Sequence, residues 1–432
     1  MRGLFGLAAA SVAAFITGSL ARPLIVHPGN AKDLVITENN TLNSTSRIQA
    51  ANGSNPLQVD IVNNFSTSQM YLYITGTDSN GVACFVGPDG NFFYPDAGGS
   101  KTPVTFQGDF KTPLGAMGST TSLTIPDFLI SSRIWVSEGE LSFFAFVDDT
   151  GKTTVVEPSV SNPTDPSASI RWGFVEFNWN QSQVFANISY VDWVGISMGM
   201  ALTLGSGETQ IVKGLVAGAV QNICDDLNTQ NSKDNAGWNQ LCMTNANGEA
   251  LRALSPNLMI ADNPTWQADY YSAYIDQVWS KYANEDLTIN TQTDAGNVAC
   301  RVADDQLSCA SDNRAYPKPV IADVYGCNSG PFAIIDSDNV VHRAVVARLC
   351  AAFYRSTLLL DGGNVQPSLP ADQYYTVDPT SHYARIVHQY EEDNLGYAFS
   401  FDDVNPEGEN AAGTVAGVSP TLLRVTAGGW TD

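Results

Sequence analysis

Two runs of alternating apolar and polar residues, 174–179 and 184–194, flank Asn180, Gln181, Ser182 and Gln183, and together they read as two β-strands joined by a tight turn. A side-chain period of two leaves such a segment little freedom, because each strand must give one face to a core and turn the other elsewhere. With the turn centred on Ser182, even-numbered residues of both strands share a face. That face carries Glu176, Asn178, Asn180, Tyr190 and Asp192, and the opposite one carries Val175, Phe177, Trp179, Phe185, Val191 and Trp193. An acid-bearing face backed by this much apolar surface points to a polar cleft.

Similar short runs at 57–62, 70–75, 82–86, 122–125, 134–136 and 141–147 are punctuated by Gly, Pro, Asn and Asp, the spacing of an all-β sandwich or barrel. After Gly207 the period changes. Ile211, Leu215, Val216, Ala219, Val220 and Ile223 fall on one helical face. Residues 268–282 form a second candidate helix, with Asp269 near its start and Lys281 near its end to complement the dipole, and 341–355 a third. The closing run 383–425 is strand-like again and free to pair onto either part. The expected fold is mainly β with an α+β part. Residues 1–21 are a leader, 22–55 a polar glycosylated lead-in, 56–205 a β-sandwich or barrel domain carrying the acid pair, and 206–432 a disulfide-bonded mixed α/β domain.

Residues 1–21 hold one positive charge at Arg2, an apolar run from 4 to 16 and small residues at Ser19 and Ala21, the pattern of an export signal. That run is too short to span a bilayer and no second one follows, so the mature chain is expected to be soluble, outside the cell or in its wall. A net charge of −23 argues against nucleic acid and anionic lipid as partners. Export makes disulfides the default for the seven cysteines. Nearest-neighbour pairing gives Cys224 with Cys242, Cys300 with Cys309 and Cys327 with Cys350, one choice among many connectivities, and leaves Cys84 as a buried free thiol. With no C-x-x-C or H-E-x-x-H, no zinc site is expected. Sequons stand at Asn39, Asn43, Asn52, Asn64, Asn180 and Asn187, and Asn180, on the cleft face, is expected to be unmodified.

Two carboxylates in one cleft suit hydrolysis of a glycosidic bond. In the register above, the alpha carbons of Glu176 and Asp192 lie roughly 13–15 Å apart at about 3.3 Å per residue. Converging side chains shorten this toward the about 6.5–9.5 Å of inverting glycosidases rather than the about 5 Å of retaining ones. Spacing alone favours two simply solvated acids over a catalytic pair. Gly195-Ile196-Ser197-Met198-Gly199 matches a nucleophile elbow built on Ser197, but 200–204 runs into Gly205-Ser206-Gly207, a poor helix start, so a glycine-flexed strand exit competes. Among the aromatics, face parity selects Tyr190 to stack on sugar and Trp179 for the core.

The blocks Glu176-Phe177-Asn178-Trp179-Asn180 and Val191-Asp192 resemble glycoside hydrolase family 64, the secreted endo-β-1,3-glucanases related to thaumatin-like proteins. So do Ser132-Arg133-Ile134-Trp135, Glu157-Pro158-Ser159, Asn162 to Pro166, His382-Tyr383-Ala384-Arg385 and the stretch from Tyr397 to Val404. The resemblance implies a thaumatin-like β domain and a mixed domain framing a wide cleft. It implies an inverting attack on laminarin-type β-1,3-glucan, with Glu176 the general acid and Asp192 the general base; no cofactor is implied, no metal ligand is assigned, and a monomer is expected. Asn178, Asn180 and Tyr190 are then substrate contacts by face parity. Arg133, Asp165, His382 and Asp402 join them as candidates from the matching blocks, although Asp165 also suits folding its turn, His382 a structural place and Asp402 an ion pair. Two alternatives stay open: a non-catalytic, thaumatin-like glucan binder, which would keep the groove but lose one acid, and a serine hydrolase using Ser197.

Overall fold

In β1 (Leu57–Asn63) buried and half-exposed residues alternate strictly, so Leu57, Val59 and Ile61 enter a core while Gln58, Asp60 and Val62 face outward. This computed structural model describes residues 55–431 apart from 66–68 and 410–411. The leader, most of the lead-in and the sequons at Asn39, Asn43 and Asn52 lie outside the described residues.

Two sheets share the core. The strands that matter here are β2 (Met70–Asp78), β3 (Ala83–Val86), β4 (Thr120–Ile125), β5 (Leu129–Glu138), β6 (Phe144–Val147), β7 (Thr153–Val156), β8 (Trp172–Trp179), β9 (Val184–Ile188), β10 (Trp193–Val194), β11 (Met198–Leu204), β12 (Thr209–Val212), β13 (Ala250–Leu254), β14 (Thr414–Gly417) and β15 (Pro420–Ala427). One sheet has the order β12-β11-β15-β1-β4, the other β14-β9-β8-β5-β2-β3 followed by Phe92–Phe93. The chain's last strand thus closes its first sheet, lying parallel to β1 and antiparallel to β11. Leu57, Val59, Ile61, Val175, Phe177, Met200, Leu202, Leu423 and Val425 belong to one apolar cluster between the sheets. Burying each such side chain stabilises the fold by about 1.5–3 kcal/mol.

The outer face of the second sheet is covered too. Tyr73 on β2, Trp135 on β5 and Phe174 on β8 are direct cross-strand partners, and they anchor a second, largely aromatic cluster with Phe85, Phe143, Trp172 and Trp193. The β6–β7 hairpin lies over it through Ala145, Val147 and Val155. Between β12 and β14 the chain completes a three-stranded sheet with β10, forms a separate five-stranded sheet and adds helices, including α1 (Ala219–Asp234), α2 (Ser272–Tyr282), α3 (Val340–Tyr354) and α4 (His382–Gln389). The apolar run begun at Ile211 does not start a helix there. Ile211 sits in β12, and Gly214 and Gly218, at φ 64° and 74°, hold off helical geometry until Ala219. Likewise α2 begins at Ser272 rather than 268, because Gln267 adopts φ 55° in the preceding turns.

The hairpin at 172–188 has a different register from the one expected. Trp179 pairs with Val184 and Glu176 with Asn187, so the turn centres between Gln181 and Ser182. The cause is local. Asn180 accepts from the backbone N–H of both Ser182 and Gln183 through its side-chain oxygen and donates its own N–H to the Gln183 carbonyl, closing a two-residue loop. This slip by one turns Val184, Ala186 and Ile188 into the core and brings Phe185 and Asn187 onto the face of Glu176.

Cys224–Cys242, Cys300–Cys309 and Cys327–Cys350 are disulfide-bonded, and Cys84 is a buried free thiol. Titration with an aromatic disulfide reagent is expected to find no reactive thiol in the native protein and one per chain after denaturation without reductant. Three or more would contradict this pairing.

Candidate active site

One residue row beyond the aromatic partners, the same face of the sheet becomes polar: Thr75 on β2 lies beside Arg133 on β5, Arg133 beside Glu176 on β8, Glu176 beside Asn187 on β9, and Asn187 beside Thr414 on β14. The strand pleat alone puts these five side chains in line. Arg133 lies with its guanidinium carbon 4.4 Å from the centre of the Phe174 ring and 5.5 Å from that of Trp135, so the cation rests on aromatic faces. Its Nε and Nη2 both donate to Oε1 of Glu176, at 3.3 and 3.1 Å, and its Nη1 donates to Oε2 of Glu157 at the end of β7. Oε2 of Glu176 is buried and has no hydrogen-bond partner among the described residues.

Asp192 reaches this row from outside the sheet. The chain leaves β9 after Ile188 and crosses to pair β10 with β13, so the distance extrapolated along a continuous strand does not apply. Three hydrogen bonds hold the crossing. Tyr190 donates its N–H to the Tyr397 carbonyl at 2.8 Å, the Tyr383 hydroxyl of α4 donates to the Tyr190 carbonyl at 2.6 Å, and Ser255 donates its N–H to the Asp192 carbonyl at 2.8 Å. Trp193 then lays its ring edge on Phe174, with centroids 5.1 Å apart, and donates Nε1 to the Trp172 carbonyl. The residue before Trp193 is thereby held close enough for its charge to act on Arg133 and Glu176 in that row.

The three acids and Arg133 act on one another electrostatically. Burial pushes the Glu176 carboxyl above its usual range; Arg133 pulls it down and the charges of Asp192 and Glu157 push it up. Asp192 is also raised by burial, with Arg133 opposing and Glu157 adding. The charge of Asp192 adds to the upward pull on Glu176, as two carboxylates in one buried setting must oppose each other's ionisation.

The remaining candidates divide. Asn178 shares the face of Glu176 and accepts from the Ser131 N–H at 2.6 Å, and Asn180 shapes the turn beside it. Tyr190 is corrected: it is 2 % exposed, in the main core, and offers no ring face to a sugar. Trp179 is core, edge-on to Phe128. Arg133 has its guanidinium taken up by two carboxylates, which makes it part of the acid's setting. Asp165 accepts from the N–H groups of Ser159 and Ser167 and so folds its turn. His382 bonds Asp378 and Arg385 with its ring edge-on to Trp238, a structural place at the start of α4. Asp402 is 1 % exposed and accepts from Arg355, His388 and the Ala398 N–H, a buried brace rather than a substrate contact. Ser197 is 3 % exposed and donates to the Val216 carbonyl. Its flanking glycines serve packing, since a Cβ on Gly195 would stand 2.1 Å from the Trp172 carbonyl oxygen and one on Gly199 2.5 Å from that of Lys213. Gly195 to Gly199 is therefore not a nucleophile elbow. The sequon Asn187 is 4 % exposed, within the sheet. Sequence reasoning did not single out Glu157, which accepts from Arg133, or Tyr383, which donates to the Tyr190 carbonyl, although each stands in a block noted for its resemblance.

Residues 55–427 match the sequence profile of the family described as β-1,3-glucanase, glycoside hydrolase family 64. Over 354 residues the chain is 27 % identical to glucan endo-1,3-β-glucosidases of Cellulosimicrobium cellulans and of Arthrobacter sp. (strain YCWD3), an alignment covering 81 % of this chain and 61 % of theirs. The chain thus spans less than two thirds of the length of these relatives. Among solved structures, a laminaripentaose-producing β-1,3-glucanase in complex with laminaritetraose superposes with a TM-score of 0.75 at 29 % identity, over 87 % of this chain and 99 % of that one. The β-1,3-glucanase domain from Clostridium beijerinckii shares the fold, with a TM-score of 0.67 at 20 % identity over 87 % and 98 %.

Removing the Asp402 carboxylate would leave Arg355, 2 % exposed, without its charge partner. Asp402→Ala is expected to cost about 3–5 kcal/mol in urea unfolding. Unchanged stability would contradict the bracing role and restore a substrate contact.

Proposed function

Starting from a chain that belongs to glycoside hydrolase family 64, the β-1,3-glucanases, we propose that it is an exported endo-β-1,3-glucanase acting with inversion, with Glu176 as general acid and Asp192 as general base. In this reading the β-sandwich is thaumatin-like and, with the mixed α/β part, frames a wide cleft over the Glu176 row. The observation that carries the assignment is the asymmetry of the Glu176 carboxyl. Oε1 is occupied by two N–H groups of Arg133, so a proton held by this residue resides on Oε2.

One guanidinium faces three carboxylates here. Buried charges are stable only when paired, and at effective dielectric constants near 20 a close pair is worth about 4 kcal/mol, which one cation cannot supply to three anions at once. One acid must keep its proton. Glu176, less exposed than Glu157 and with Oε2 buried and unpartnered among the described residues, is the acid placed to hold it, which suits it to protonate the leaving glycosidic oxygen. Asp192 accepts a proton from the water that attacks the opposite face of the anomeric carbon. The bond from water oxygen to C1 forms as the bond from C1 to the glycosidic oxygen breaks, and solvent afterwards reverses the two proton transfers. Two of the relatives are glucan endo-1,3-β-glucosidases, and one solved neighbour holds laminaritetraose; both support a β-1,3-linked glucan as the substrate. Hydrogen-bonding contact from Asn178 and Asn180 fits their place along the same face.

Glu176→Gln and Asp192→Asn are each expected to lower laminarin hydrolysis on the order of 10²–10⁴-fold without loss of fold. Proton NMR of the wild-type digest is expected to show the α-anomer first. Near wild-type activity in either variant, or a β-anomer first, would defeat the assignment.

A further inference from the structure

We propose that Glu157 is a positioning residue of this active site, one that holds Arg133 and shares its charge so that Glu176 keeps a proton to donate. The inference rests on the glucanase reading but on separate atoms. Glu157 follows β7, the second strand of the hairpin that covers the aromatic layer, and it is 33 % exposed by side chain against 13 % for Glu176. It therefore anchors the guanidinium from the more solvated side, taking Nη1 while Nε and Nη2 converge on one Glu176 oxygen.

Without that anchor the guanidinium is free to swing its full fork onto Glu176, the two-oxygen arrangement that favours a carboxylate most. Such a pair would take up Oε2, the atom needed for proton delivery, and would bind the ionised form. Glu157 opposes both outcomes, by geometry and by its negative charge. The groups facing Glu176 are Arg133 from β5, Glu157 from the end of β7, Asp192 from the crossing after β9 and Tyr397 from the C-terminal segment. Tyr397 is held well above its ordinary range by burial and does not titrate with the acids.

The signs follow. Loss of the Glu157 charge removes an influence that raises Glu176 and gives Glu176 a larger share of Arg133, and both lower its pKa. Asp192 also loses an upward influence. The whole bell of activity against pH should slide to lower pH.

The test is the pH profile of kcat/KM for laminarin with wild type, Glu157→Gln and Glu157→Asp. Glu157→Gln keeps an oxygen for Nη1 and removes the charge. It is expected to move the alkaline limb down by roughly one pH unit, read as about a tenfold loss on that limb with activity kept on the acid side. Glu157→Asp, which restores the charge, is expected to return the limb most of the way. An unchanged profile, or a uniform loss with both limbs in place, would overturn the proposal. If Glu157→Gln does not fold, Glu157→Ala at this part-exposed position carries the same comparison. Carboxyl-carbon NMR of glutamate-labelled protein, with the Glu176 signal identified by its absence in Glu176→Gln, reads the titration without turnover. A wild type inactive on laminarin would sink the glucanase reading, while a Glu176 signal titrating alike with and without Glu157 would sink this one.

Discussion

The guanidinium of Arg133 is the contact on which the site depends. Three acidic side chains, Glu157, Glu176 and Asp192, come from three separate stretches of chain, and together they would repel one another in a partly buried setting. Arg133 suits the task because it is planar and weakly hydrated, and so can lie on Phe174 and Trp135 while its edge donates to two carboxylates. A lysine would offer a point charge with no fork and a poorer match to the rings. In the proposed mechanism, one cation among three carboxylates also leaves a proton on the site, so the interaction that stabilises the cluster would set up its chemistry.

Everything around Arg133 serves to aim it. The aromatic row Tyr73, Trp135 and Phe174 gives the cation a floor and lowers the local dielectric. The β6–β7 hairpin closes over that floor and ends at Glu157. Trp193, resting its ring edge on Phe174, fixes where the chain lands after leaving β9, and hydrogen bonds from Tyr383 and Ser255 together with the carbonyl of Tyr397 secure the backbone on either side. Asp192 thus stands on a braced crossing, the kind of preorganisation that the proposed proton transfer from a positioned water requires.

Much of this was legible in the residues. Period-two alternation located β8 and β9 and put Val175, Phe177 and Trp179 on the core side, because a half-buried strand can hardly be written otherwise. The next step failed at one residue. Asn180 reads as turn material in any register, and only its bonds to the N–H groups of Ser182 and Gln183 decide where the turn centres, so Tyr190 was placed in the cleft when it belongs to the core. Gly195 and Gly199 look like an elbow in sequence because close packing against the Trp172 and Lys213 carbonyls asks for the same residue as a strained turn. Asp402 and His382 were drawn toward the cleft by the blocks they stand in, although burial and their ion pairs give them to the scaffold. Glu157 and Tyr383 act across long sequence separations, and nothing in local pattern announces a contact of that kind.

The central claim is a matter of atomic position: Oε2 of Glu176, left free by Arg133, faces the glycosidic oxygen, and Asp192 lies across the sugar from it. A crystal structure of Glu176→Gln soaked with laminarihexaose measures this directly. The account predicts the free side-chain atom at position 176 within about 3.2 Å of a glycosidic oxygen, with an ordered water between Asp192 and the adjoining anomeric carbon. A sugar chain bound elsewhere, or one that contacts only the Arg133 side of position 176, would contradict it.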